Sequence, residues 1–84
     1  MSWRPALAPA VVLRPDRVRG TDLLVMPERV AVLRGAAAGI LGLCDGRRTV
    51  PAILAELTAR FPGAPVIEEV PEFLDGLRAE GWLR

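Results

Sequence analysis

The residues best suited to chemistry in this sequence are Cys44 and Asp45, which stand side by side in the segment ILGLCDGRRTV (residues 40–50). A cysteine reacts or binds metal as its thiolate, which a neighbouring base or a second ligand favours. The chain has no histidine and no second cysteine, so it supplies neither. We therefore predict that Cys44 is a small buried hydrophobic residue at a helix end. Asp45 is predicted to brace the following turn by accepting hydrogen bonds from nearby amides.

Carboxylates are the other candidates for catalysis, and Glu68 and Glu69 are adjacent in the sequence. Neighbouring residues on a helix point about 100° apart, so these two cannot share one site. Histidine, lysine and tyrosine, which commonly act as general acids and bases, do not occur in the chain. The sequence therefore predicts a protein that is not an enzyme and that needs no cofactor and no metal.

The composition is that of one small soluble domain, with 84 residues of which 51% are hydrophobic and 25% are charged. The net charge is only +1, but its parts are separated: residues 1–34 hold six of the arginines, and residues 64–84 hold five of the acidic residues. Complementary charge guides encounters between proteins. The arginine-rich first half is therefore the better candidate for meeting an acidic partner, through Arg14, Arg17, Arg19, Arg29 and Arg34.

The amino-terminal residues do not resemble an export signal, because Pro5 and Pro9 interrupt them and Arg14 ends the apolar run after four residues. The sequence has no apolar stretch long enough to span a membrane, so we expect a cytoplasmic protein. Proline lacks an amide donor and favours extended neighbours. Residues 1–9 are therefore expected to form a flexible arm, and residues 10–84 a single domain.

The first part of the domain has the pattern of three short strands, AVVLR (10–14), DLLVM (22–26) and RVAVL (29–33). Such apolar, β-branched runs, bounded by glycine, proline and aspartate, are typical of antiparallel strands. Residues 17–21 and the Pro27–Glu28 pair are suited to the two turns. We predict a three-stranded antiparallel β-meander.

From Ala36 onward the apolar period becomes helical and predicts three helices. Gly46 is placed to end the first helix, Thr49 to cap the second and Gly81 to end the third, whose early turns contain Pro71. Trp82 is expected to fold back onto the core together with Leu83. The predicted fold is α+β and winged-helix-like, a meander followed by three helices. The predicted buried faces are Ala37, Ile40, Leu41 and Cys44; Ile53, Leu54, Leu57 and Phe61; and Val66, Ile67, Val70, Phe73, Leu74 and Leu77.

The order of these segments resembles the PqqD family of pyrroloquinoline quinone (PQQ) biosynthesis proteins. The similarity lies in LAP…VVLRPDRVRG…LLVMPERVAVL…AAAGILGLCDGRRTVPAILAEL…FP…FLDGLRAEGWL and covers nearly the whole chain. The MPE turn, the segment ILGLCDG followed by RTV, and the closing FLDGL…GWL stand at the family's spacing. The chain departs from the family at Arg34–Gly35, where a polar pair such as Asn-Glu is usual, and at Pro71, where a helix former is usual.

The resemblance implies a chaperone-like peptide-binding domain without catalysis of its own, a recognition element for ribosomally synthesised, modified peptides (a RiPP recognition element). Its partners would be the precursor peptide PqqA and the radical SAM enzyme PqqE, with the peptide held as an extra strand. The core assignment of the helix residues competes with this role. Carried over to this chain, the edge is Arg29, Val30, Ala31, Val32 and Leu33, and the facing wall is Val66, Glu69, Val70, Phe73 and Leu77.

Two other functions stay open at this point. A winged helix can bind nucleic acid, but residues 66–80 contain five acidic residues against Arg78 alone, and such a helix repels phosphates. An oligomerisation or regulatory domain, including a homodimer formed by strand exchange, is also compatible with so short a chain.

Overall fold

The computed structural model describes residues 2–84 and contains three strands followed by three helices. The antiparallel sheet has the order β1-β2-β3. The predicted α+β architecture, a meander followed by three helices, is confirmed, and the winged-helix likeness stays an expectation. The strands β1, β2 and β3 span Val12–Asp16, Thr21–Met26 and Arg29–Leu33, and the helices α1, α2 and α3 span Ala37–Gly42, Val50–Arg60 and Val66–Ala79.

The first strand begins two residues later than predicted. Ala10 has a φ of 70°, and the amide of Val11 donates to the carbonyl oxygen of Ala8 at 3.1 Å, so a turn occupies this position. The turn between β1 and β2 is held by Asp16, whose Oδ1 accepts from the amide of Val18 at 3.1 Å. Gly20 completes that turn with a φ of 68°, as predicted.

The two faces of the sheet differ in what covers them. Side chains of a strand alternate between faces, and Leu24, Ala31 and Leu33 lie on the face that packs against the helices. Leu24 is fully buried there. The opposite face, which we call the outer face, has no other element packed against it among residues 2–84, and Val12 and Val30 on it are 52% and 60% exposed.

The first two helices carry part of the core beneath the sheet. Helix α1 ends earlier than predicted, because the amides of Leu43 and Cys44 bond carbonyl oxygens three residues back and tighten the last turn. Thr49 caps α2 as predicted, with its Oγ1 accepting from the amide of Ala52 at 3.3 Å. The prediction for Phe61 is wrong: it follows the end of α2 and is 44% exposed.

Helix α3 continues through Pro71, which is its sixth residue. Proline cannot donate to the carbonyl four residues earlier, here that of Ile67. Ile67 is 61% exposed, so water can bond the carbonyl that the helix leaves free. Its exposure corrects the prediction that Ile67 belongs to the buried face. None of the helices within residues 2–84 is long and apolar enough to cross a membrane.

The two ends of the described chain lie against each other. The amide of Ala8 donates to the carbonyl oxygen of Trp82 at 2.9 Å, and Ala6 and Arg84 exchange two backbone hydrogen bonds. Trp82 and Leu83 are buried, as predicted. Hydrogen exchange at the Ala6 and Ala8 amides would test the predicted flexibility of the 1–9 arm.

Replacing Ala10 by glycine should stabilise the protein. A left-handed φ costs an alanine about 1 kcal/mol, which glycine avoids, although part of that gain is lost to the greater freedom of glycine in the unfolded chain. We expect A10G to raise the free energy of unfolding by about 0.5 kcal/mol in urea titrations. Ala55→Gly, on the exposed side of α2, is the matched control and should lower that free energy by about 1 kcal/mol.

Candidate functional site

The Cys44–Asp45 pair is structural. Cys44 is 4% exposed, and its thiol donates to the carbonyl oxygen of Ile40 at 3.6 Å. Burial, and next the charge of Asp45, raise the pKa of Cys44 to about 11, which disfavours the reactive thiolate. Asp45 accepts from the Arg47 amide at 2.9 Å and pairs with Arg48 at 2.8 Å. The Arg47 amide, more than the charge of Arg48, lowers the pKa of Asp45, as expected for a carboxylate that braces a turn.

The outer edge of β3 presents free backbone groups. Residues that flank a two-residue hairpin turn exchange hydrogen bonds, and bonded and non-bonded pairs then alternate along the ladder. The Met26–Arg29 pair flanks such a turn, so the peptide groups of Ala31 and Leu33 also point to β2. Those of Val30 and Val32 point away from β2, where the described chain (residues 2–84) provides no strand. The edge therefore offers two donor–acceptor sets for an added strand.

The two edges of the sheet are not equivalent. On β1, Pro15 removes an amide donor, and Arg14 and Asp16 place charges beside it. Proline and charge are common ways of preventing further strand pairing. In β3 the residues from Val30 to Leu33 include neither proline nor charge. The β3 edge is thus the one suited to accept another chain.

Three adjoining hollows run along α3. The first, about 170 Å³, lies between the two other helices and the start of α3 and is almost entirely apolar. The second shares Val70 and Glu69 with it and lies between α3, α1 and Arg34, the residue that directly follows β3. The third lies along the later turns of α3 and shares Phe73 with the second. We call these three hollows together the α3 groove.

All five residues predicted to form the helix wall line this groove, whereas the strand residues from Arg29 to Leu33 in the described chain do not. Val66 and Val70 contribute to the core as well, so the two roles proposed for them coincide. Several lining residues were not predicted from the sequence. They come from different helices and loops, whereas a helical period shows only which residues of one helix share a face. The missed residues are Arg34, Ala36, Ala37, Ile40, Leu57, Phe61, Ala64, Pro65, Glu72, Gly76 and Glu80.

Arg29 closes one end of the space between β3 and α3. Its Nη2 donates to the carbonyl oxygen of Glu80, and its guanidinium carbon lies 4.7 Å from the centroid of the Trp82 ring. At the other end, Arg34 and Glu69 line the same hollow. Strand β3 therefore runs beside α3 in the opposite direction. The side chain of Arg29 links the start of β3 to the residue that follows α3.

The groove is apolar at its floor and acidic along one rim. Glu69, Glu72 and Glu80 line it along α3 and its C-terminal end, and Arg34 lines the second hollow together with Glu69. Carboxylates at the rim favour a ligand that carries cationic or amide groups beside its apolar residues. The same charges disfavour a nucleic acid, whose phosphates need cations.

An open strand edge beside an apolar groove is an arrangement that peptide-recognition domains use to accept an extended peptide as an added strand. The model of the family described as coenzyme PQQ synthesis protein D (PqqD) matches residues 10–83. The chain belongs to the PqqD family, as its sequence pattern indicated.

Curated relatives span nearly the same length. The PqqA binding protein of Azotobacter vinelandii is 45% identical over 69 residues, which cover 81% of this chain and 75% of that protein. The PqqA binding protein 1 of Pseudomonas putida is 35% identical over 83 residues, which cover 98% of this chain and 87% of the relative.

A solved structure has the same fold. It is the solution NMR structure of the PqqD truncation of Methylobacterium extorquens PqqCD, described as a functional, stand-alone RiPP recognition element. It is 36% identical, has a TM-score of 0.74 and covers 95% of this chain and 87% of that chain.

Cys44 should affect stability and not chemistry. In the unfolded chain its thiol ionises near its ordinary pKa of 9.0, and in the folded chain near 11. The unfolded state therefore loses its proton first, and the stability that burial of the neutral thiol provides declines as pH rises from about 9 towards 11. Urea titrations across this range should show a steeper decline for the parent than for Cys44→Ala.

At neutral pH, Cys44→Ala should lower the free energy of unfolding by about 1–2 kcal/mol, because a buried sulfur is lost from the core. Peptide binding should stay near that of the parent. A folded Cys44→Ala protein that no longer binds peptide would contradict the structural role.

Proposed function

We propose that this protein binds the precursor peptide PqqA and presents it to the radical SAM enzyme PqqE, without catalysing a step itself. The observation that carries the proposal is the proline-free edge of β3 beside the α3 groove, with which no other strand of residues 2–84 pairs. Membership of the PqqD family and the names of the relatives support PqqA as the peptide. The peptide adds as a fourth strand whose backbone pairs with Val30 and Val32.

Alternate side chains of the bound peptide have different surroundings. Those beside Ala31 point to the helix side and enter the α3 groove, where Phe73 and Leu77 provide apolar contacts. Those beside Val30 and Val32 point to the outer face. Backbone pairing supplies generic affinity, and the groove selects every second side chain. The rim carboxylates favour a basic residue next to these apolar positions.

The ordering of a flexible peptide limits the affinity. Part of the favourable contact energy offsets the conformational entropy that the peptide loses. We expect a dissociation constant of about 0.1–10 µM, or roughly −7 to −10 kcal/mol. Such a complex exchanges fast enough for the peptide to pass to an enzyme.

The five arginines that were predicted to meet an acidic partner lie in two different parts of the domain. Arg29 is held by Glu80 and Trp82, and Arg34 lines the groove. Arg14, Arg17 and Arg19 lie on β1 and the turn after it, away from the groove, and are exposed. These three arginines are our candidates for meeting acidic residues of PqqE.

Proline substitution tests strand addition directly. Val30→Pro and Val32→Pro each remove an amide that points away from β2, so the sheet can stay intact while the added strand loses a donor. We expect each to weaken PqqA binding at least about tenfold, or roughly 1.4 kcal/mol, in isothermal titration calorimetry.

Three controls make this test specific. Val30→Ala and Val32→Ala shorten the same side chains but keep the amides, and should bind within about twofold of the parent. Ala31→Pro removes a bond to β2 and should instead lower the melting temperature. Strand addition at this edge is excluded if both folded proline variants bind PqqA as tightly as the parent.

Presentation to PqqE requires that the two partners bind at the same time. We expect labelled PqqA, this domain and PqqE to sediment together, and saturating PqqA not to displace PqqE from the domain. Competition between PqqA and PqqE for the domain would contradict presentation and leave simple peptide binding standing.

A further inference from the structure

The outer face of the sheet is an apolar surface that the α3 groove does not use. The strand register aligns two rows across it, Val12–Val25–Val30 and Arg14–Leu23–Val32. Leu23 and Val25 do not pack against the core cluster, and the three valines at the ends of the rows are 43–60% exposed. Five apolar side chains in adjacent positions make a patch of the kind that proteins use for interfaces.

Charge is unevenly arranged around this patch. Arg14, Arg17 and Arg19 lie at the end formed by the first hairpin, with Asp16 among them. Both Asp16 oxygens are engaged within that turn, with the amides of Val18 and Arg19 and with the Arg19 guanidinium at 3.8 Å. Glu28 in the second turn is the acid at the other end. Three arginines at one end of an apolar patch fit a partner surface with an apolar centre and acidic residues on one side.

The patch is continuous with the edge proposed to hold the peptide, because the side chains of Val30 and Val32 belong to the patch while their peptide groups form the edge. A peptide added at β3 extends the sheet and places every second side chain in line with the two rows. A protein seated on the outer face therefore touches the domain and the outward side chains of the peptide together.

We infer that the outer face of the sheet is the docking surface for the modifying enzyme, and that the bound peptide completes this surface. The inference rests on the proposed function. The enzyme then contacts the peptide side chains that point to the outer face, while the others lie in the α3 groove. Each partner strengthens the binding of the other, since the peptide strand and the sheet form one contact surface.

The test uses Val12→Asp in the full chain, with PqqE and PqqA as probes. Val12 lies on β1, roughly 10 Å from β3 across two strand spacings, so PqqA binding should change less than about twofold. Binding of PqqE should weaken at least about tenfold, because a carboxylate replaces an apolar contact and opposes an acidic partner. Saturating PqqA should tighten binding of PqqE to the parent by at least about threefold.

Ile67→Asp is the matched control, since Ile67 is 61% exposed and lies on α3, away from the outer face. It should bind PqqE like the parent. Arg14→Glu, which reverses a charge and leaves the five apolar side chains of the patch in place, should weaken PqqE binding more at low than at high salt. A folded Val12→Asp protein with parental affinity for PqqE overturns the inference. The inference is also overturned if the parent protein sediments as a dimer and the Val12→Asp variant as a monomer, because the patch then binds a second copy of this chain. Failure of the parent to bind PqqA would instead overturn the proposed function.

Discussion

The arrangement of this domain depends on the burial of Trp82. The indole is 4% exposed, lies under the guanidinium of Arg29 and directly follows the turn that ends α3. Its carbonyl oxygen accepts from the amide of Ala8. One residue thus joins the third strand, the last helix and the amino-terminal segment. An aromatic ring of this size dominates a small core, and the stacked cation adds about 0.5–2 kcal/mol.

This contact and the Arg29–Glu80 hydrogen bond join the start of β3 to the end of α3. Trp82 and Arg29 lie at one end of the space between β3 and α3. Because the strand and the helix run in opposite directions, Arg34 and Glu69 lie at its other end. The elements that enclose the core therefore also form the groove, and no further element is needed to form it. A preformed groove reduces the entropy that the protein itself loses on binding.

The sequence predicted the elements well because their signals are local. The limits of β3, the Thr49 cap and the core position of Cys44 follow from residue type and period alone. The end of α1, the turn at Ala10 and the exposure of Phe61 depend on the backbone geometry at the ends of segments, which an apolar period does not contain. The same holds for the site: the α3 wall was visible as a helical face, whereas Ile40 and Phe61 join it only through packing.

The outer face was missed for a different reason. Alternation within a strand shows which side chains share a face, but not which face the helices will cover. In β3, valines stand at 30 and 32 and smaller or buried residues at 31 and 33, so both faces are apolar by sequence. Only the register with β2 and the position of the core separate them.

The first and last segments of the described residues pair with each other, so that residues 2–84 nearly form a closed ring. Ala6 and Arg84 face each other across backbone hydrogen bonds, and Trp3 Nε1 donates to the Arg84 carbonyl oxygen at 2.9 Å. A short linker could join the ends without disturbing the sheet, and the loop at Arg17–Gly20 could be cut to give new termini. The fold is thus suited to circular permutation, in which the order of its elements changes while the peptide edge and the outer face stay where they are.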